Sequence, residues 1–166
     1  MNIASAESNH ESPSIELALP DEAATLALGA QIGGGLGAGL QIHLRGDLGA
    51  GKTTLVRGLL RALGWTGRVK SPTYTLVEHY TLSRLHLYHF DFYRFERPSE
   101  WLEAGLAEHF NTHAVCLVEW PERADAALGS PDLDIELIVS EEARQARLRT
   151  YSAAGRTLLA RCTARP

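Results

Sequence analysis

Apolar and polar positions repeat at two periods along this chain, and the period assigns each element. Ile15, Leu17 and Leu19 alternate with other residues, which predicts a short strand over Ile15–Leu19. Pro20-Asp21 ends it, and Asp21 suits the N-cap of a helix running to about Gln31. The glycine-rich stretch 32–39 has no Lys and is followed by no helix, so it reads as a flexible connector. Leu40, Ile42 and Leu44 again mark a strand. Leu55, Val56, Leu59, Leu60 and Leu63 recur at helical spacing, and Gly64 stops that helix. Residues 70–74 form a loop into a strand over Thr75–Tyr80. A second strand covers Leu85–Asp91, and the four-residue gap between the two implies an antiparallel hairpin. Pro98–Phe110 reads as helical with a break at Gly105. The apolar run Ala114–Val118, closed by Glu119, has the pattern of a central parallel strand buried on both faces. A short helix over Pro121–Leu128 follows. Strands are expected over Leu133–Val139, Arg147–Ala153 and Arg156–Cys162, the last two joined through Ala154-Gly155. The pattern describes an α/β chain with a mixed sheet.

Between the strand at Leu40 and the helix at Leu55 lies Gly46-Asp47-Leu48-Gly49-Ala50-Gly51-Lys52-Thr53. Every fixed position of the phosphate-loop pattern G-x-x-x-x-G-K-[ST] is met, on the strand and helix flanks it requires. Glycines let successive main-chain N–H groups converge on phosphate oxygens. Lys52 would place its charge on the terminal phosphates, and the Thr53 hydroxyl would ligate Mg²⁺. The positive end of the helix dipole faces the same point. The expected fold is a three-layer sandwich of the phosphate-loop NTPase kind, with a mixed central sheet.

Composition narrows the class. The chain has 166 residues, room for one domain over residues 14–166, and a formal net charge of −4, unlike a protein that coats nucleic acid. No apolar run approaches the ~20 residues of a membrane span. Residues 1–13 are polar and Ser-rich, lack the apolar stretch of a signal peptide, and read as a disordered tail. Cys116 and Cys162 form no metal-type or redox-type pair, and Cys116 sits in an apolar strand as a buried thiol. These features point to the cytoplasm.

Ligands of α/β sheets bind at carboxyl ends of strands. Glu119 closes the most apolar strand, where an acid would approach Mg²⁺ directly or through water, or polarise an attacking water. Trp120, which follows, suits either core packing or a contact. Asp91 closes another strand and could orient water or accept its proton. Arg94 could neutralise phosphate or pair with Asp91. Thr73, in Ser71-Pro72-Thr73, stands where phosphate-loop switches carry a sensing Thr, and equally where a plain turn would form. His43, His86 and His89 alternate with apolar residues and suit solvent or hydrogen bonds better than metal ligation. From Arg144 onward the chain holds Arg144, Arg147, Arg149, Arg156, Arg161 and Arg165 with no acid, either a solvated sheet face or an RNA or protein contact.

Several motifs taken together resemble one family. They are Leu19-Pro20-Asp21-Glu22 with Thr25-Leu26, the phosphate loop through Thr54, and Ser71-Pro72-Thr73-Tyr74-Thr75-Leu76-Val77-Glu78. Tyr88-His89-Phe90-Asp91-Phe92-Tyr93-Arg94 and Cys116-Leu117-Val118-Glu119-Trp120-Pro121 complete the set. In order and spacing, from about Leu17 to Val139, the chain resembles the TsaE family of bacterial ATPases of tRNA threonylcarbamoyladenosine synthesis. The resemblance implies binding and slow hydrolysis of ATP with Mg²⁺. It also implies association with the TsaB–TsaD pair, tRNA being met indirectly through that complex, and a monomer when alone. Carried over by position, Thr53 and Glu119 would hold Mg²⁺. Asp47, Leu48, Gly49, Ala50, Gly51, Lys52, Thr53 and Thr54 would hold the phosphates. Thr73 would belong to a switch-like loop, Asp91 would support hydrolysis, and Glu22 would lie near the adenine. Lys52, Asp91 and Glu119 form the implied catalytic set. The glycine-rich connector before the phosphate-loop strand exceeds the family pattern. Two other classes share the loop: a small-molecule kinase, for which no Arg-rich lid stands between Glu119 and Asp134, and a nucleotide-gated scaffold that does not hydrolyse.

Overall fold

The computed structural model describes residues 12–164 except 125 and 142. The unstructured-tail reading of residues 1–13 falls mostly on residues 1–11, which lie outside the described residues. Seven strands form one sheet: β1 (Ser14–Ala18), β2 (Gln41–Arg45), β3 (Val77–Thr81), β4 (His86–Asp91), β5 (Ala114–Glu119), β6 (Leu133–Val139) and β7 (Arg144–Thr150). Their order across the sheet is β1-β7-β6-β2-β5-β4-β3. The inner strands β6, β2, β5 and β4 run parallel; β7 on one side and β3 on the other run against them, and β1 pairs antiparallel with β7 at the edge. The sheet is mixed, as the sequence pattern predicts, and β3–β4 is the expected hairpin.

Helices α1 (Glu22–Gly33), α2 (Lys52–Ala62) and α4 (Ala153–Thr163) contribute Ile32, Leu55, Leu59 and Leu158 to one core cluster. That cluster also takes Ile42, Leu87, Leu117, Ile135 and Leu148 from one sheet face. The opposite face, with Phe90, Cys116 and Val118, packs against Trp101 of the short α3 (Glu100–Glu103) and Leu106 of a 3-10 turn. Two helical layers therefore enclose the sheet. β5 is buried at every position because both its faces are covered. Cys116 and Cys162 are both buried free thiols, and burial pushes the Cys116 thiol up to about 12.

Three elements differ from the pattern reading. Helix α1 runs through Ile32 and Gly33 instead of ending at Gln31, because it is pressed against α2 along glycines. A Cβ on Gly29 would strike the Leu55 carbonyl, one on Gly58 the Leu26 carbonyl, and one on Gly33 would come within 2.5 Å of the Leu59 oxygen. Part of the apparent connector is thus a helix contact surface. Residues 156–162 form α4 and not a strand. Ser152 caps it by accepting from the Gly155 N–H at 3.0 Å, and Leu158, Leu159 and Cys162 fall on its buried face. The preceding strand accordingly lies at Arg144–Thr150, and residues 121–128 make two 3-10 turns in place of one helix.

Candidate nucleotide site

The loop leaving β2 is shaped by three glycines in the left-handed region, Gly46 (φ 143°), Gly49 (φ 80°) and Gly51 (φ 106°). Gly51 stands at the start of α2, and no side chain caps that end. The first N–H groups of α2 are left without intrahelical partners and face the loop. Gly46 also packs against β6, where a Cβ would lie 2.8 Å from the Leu137 oxygen.

Lys52 is buried and turned back on the loop. Its Nζ donates to the Gly46 carbonyl, lies 3.5 Å from the Asp47 oxygen, and sits 4.3 Å from the centroid of the Trp120 ring. Burial pulls the Lys52 ammonium below its ordinary range. The charges of Glu119, Asp91, Glu122 and Asp47 push the other way. Trp120 has φ 56°, a strained position for a bulky residue, which brings its ring over the ammonium.

Asp91 and Glu119 end the adjacent parallel strands β4 and β5 and are register partners, both buried. Side chains alternate along a strand, so Asp91 shares the face of Leu87, and Glu119 that of Val115 and Leu117, the face against α2. Asp91 Oδ2 accepts from Ser71 Oγ and Thr73 Oγ1, each at 3.1 Å, and Oδ1 accepts from the Tyr93 N–H at 2.9 Å. Glu119 Oε1 lies 3.0 Å from Nε2 of the fully buried His89.

A nucleoside triphosphate with Mg²⁺ fits this donor set. Two carboxylates and the Thr53 hydroxyl are hard oxygen ligands, and Mg²⁺ is usually held by few side chains together with substrate phosphates. Among the described residues no group of three His, Cys, Asp or Glu side chains is arranged to hold a metal alone.

The family described as threonylcarbamoyl adenosine biosynthesis protein TsaE matches residues 19–149. The chain belongs to the TsaE family. It is 42% identical over 120 residues to the Haemophilus influenzae protein named tRNA threonylcarbamoyladenosine biosynthesis protein TsaE, covering 72% of this chain and 76% of that one. A Nostoc protein of the same name is 40% identical over 141 residues, 81% of this chain and 85% of that one. Among solved structures, Bacillus subtilis YdiB superposes with a TM-score of 0.76 at 27% identity, covering 93% of this chain and 97% of that one. The fold is that of a phosphate-loop NTPase, as expected.

In this TsaE-family chain the loop residues 46–54, Lys52, Asp91, Glu119 and Thr73 gather at one end of the sheet, Thr73 through its hydrogen bond to Asp91. Glu22 is exposed in the first turn of α1. The residue of that helix found beside the loop is Thr25, whose methyl lies 3.7 Å from where a Gly51 Cβ would be. Arg94 pairs with neither Asp91 nor the loop. It stacks 4.8 Å over the ring of Tyr74. Two further residues of the neighbourhood stand outside the site set that the sequence implies. His89 is hydrogen-bonded, one of the two roles the strand pattern allows it, and its buried contact to Glu119 sets it apart from the exposed His86. Arg144 belongs to the basic run, and the placement of β7 at Arg144–Thr150, two residues from Ala146, is what turns it to the loop's face.

Proposed function

We propose that this protein binds ATP with Mg²⁺ in the loop Gly46–Thr53, hydrolyses it slowly, and serves tRNA threonylcarbamoyladenosine formation as the accessory ATPase of a TsaB–TsaD complex. The observation that carries the reading is the convergence of Lys52 with two buried carboxylates from neighbouring strand ends, on the face of the loop's own helix. The names of its relatives support the process, and the resemblance of the motifs supports the partners.

Phosphoryl transfer to water asks the protein for alignment and charge neutralisation more than covalent chemistry. Main-chain N–H groups of residues 49–54 hold the phosphates. Lys52 exchanges its loop carbonyls for the terminal phosphate oxygens. Thr53 and Glu119 would hold Mg²⁺, which, when bound, would neutralise phosphate charge. Asp91 orients the attacking water, and its hydrogen bonds to Ser71 and Thr73 couple that orientation to the loop before β3. Tight turnover would need a further group from a partner, so hydrolysis by the isolated chain is slow. The protein acts as a monomer when alone, in the cytoplasm. Among the described residues no helix is long and apolar enough to cross a membrane.

Calorimetry with ATP and Mg²⁺, and phosphate release measured with and without TsaB–TsaD, test this reading. Binding by the native chain, loss of binding in Lys52→Ala, and faster release with the partners are the expected results. A Lys52→Ala protein with the native ATPase rate would overturn it. Transfer of the labelled phosphate to a nucleoside or metabolite would replace it by the kinase reading.

A further inference from the structure

Arg144 opens β7 on the sheet face that carries Asp91 and Glu119. Ala146 and Leu148 of β7 belong to the core cluster under α1, α2 and α4, and Arg144, two residues before Ala146, shares their face. It stands on the other flank of the loop. From β2 the order runs through β6 to β7 on one side and through β5 to β4 on the other. The acids thus flank the loop from β5 and β4, and Arg144 from β7.

The guanidinium reaches the loop itself. Its Nη1 lies 3.4 Å from the position a Cβ on Gly51 would take. Its Nε is buried and has no hydrogen-bond partner. Arginines on the opposite sheet face are differently provided. Arg45 is held by Asp134 at 2.8 Å and Glu122 at 3.2 Å, and Arg147 by Glu16 at 2.9 Å and Glu136 at 3.2 Å. A buried guanidinium N–H without an acceptor costs free energy that an anion beside it recovers. Val139, the register partner of Arg144, lines a cavity of about 220 Å³ between the loop and β6.

We infer that Arg144 is a second cation of the nucleotide site, holding the α-phosphate end of a nucleoside di- or triphosphate. The inference rests on the ATP-binding reading above. Lys52, on the acidic side, serves the terminal end of the polyphosphate, and the opposite flank falls to Arg144. The flat fork of a guanidinium matches phosphate oxygens two at a time, and glycine at position 51 leaves no side chain between the fork and the loop. An α-phosphate contact is common to ATP and ADP, so it supports both equally.

Titration of ATP and ADP into the native full-length chain, R144Q, R144K and K52A tests this. R144Q is expected to lose about tenfold in affinity for both nucleotides by the same factor, with a melting temperature close to native. R144K is expected to recover part of that loss. Native affinity in R144Q while K52A binds neither nucleotide would overturn the inference and leave the ATP reading intact. A loss confined to ATP, or an R144K protein as weak as R144Q, would also overturn it. No binding of either nucleotide by the native chain would remove both. Should R144Q not fold, an equal, smaller loss for ATP and ADP in R144K supports the inference, and unchanged affinity overturns it.

Discussion

His89 Nε2 lies 3.0 Å from Glu119 Oε1, with both side chains buried. A carboxylate can only accept, so the proton of this contact sits on Nε2. His89 Nδ1 has no partner of its own. The imidazole therefore serves one purpose here, which is to hold one oxygen of Glu119 and aim the other. His89→Ala would leave a buried acceptor unmet and is expected to cost about 2 kcal/mol in denaturant unfolding. ATP turnover should fall with it, and His89→Gln, which can still donate, should recover part of both.

Asp91 and Glu119 should separate by function. Glu119→Gln is expected to lose the Mg²⁺-dependent part of nucleotide affinity, measured by titration with and without the metal. Asp91→Asn should keep that affinity and lower turnover by about a hundredfold, read as phosphate release at saturating ATP. The amide would also loosen Ser71 and Thr73, so protease cleavage in residues 70–76 should quicken in this variant.

The contact of α1 with α2 tolerates no side chain at its crossing. Gly58→Ala drives a methyl into the Leu26 carbonyl and should cost about 1–3 kcal/mol in equilibrium unfolding. Since α2 carries the phosphate loop, nucleotide affinity should weaken as well. Gly37→Ala, where a Cβ meets nothing within 4 Å, is the matched control and should leave both unchanged.

Burial, aided by the charge of Arg45, lowers His43 to about 4 from 6.5. The unfolded chain binds this proton more readily than the folded one. The stability that His43 contributes is present in full above pH 6.5 and is lost as pH falls through the interval to about 4. The loss amounts to about 3 kcal/mol from this group. His43→Gln should flatten the unfolding free energy between those pH values. A native curve already flat there would rule the account out.

The basic run after Arg144 shows how a linear reading misleads. Arg147 faces Glu16 and Glu136 on one sheet face, Arg144 faces the phosphate loop on the other, and Arg161 on α4 donates to the Gln31 carbonyl at 3.3 Å. Three arginines of one basic run thus serve three surroundings. Over Arg156–Cys162 the apolar run Leu158-Leu159-Ala160 is too short to separate strand from helix by period. The cap of α4, Ser152, and the close approach of Gly155 to Asp132 become visible only with β6 in place. In contrast, the β3–β4 hairpin, the apolar run of β5 and the acids at two strand ends are legible, as each depends on residues a few positions apart.

By itself the sequence determined the local shapes: a loop whose glycines permit left-handed backbone, a helix that begins at that loop, and strands whose period assigns each residue a face. These follow from backbone sterics and side-chain alternation, which act over neighbouring residues. The tertiary structure alone decided which charges meet. Strand order set Arg144 on one flank of the loop and Asp91 and Glu119 on the other, and it placed His89 beneath Glu119. Strand order is chosen by burial between segments distant in the chain, and no local spacing encodes it.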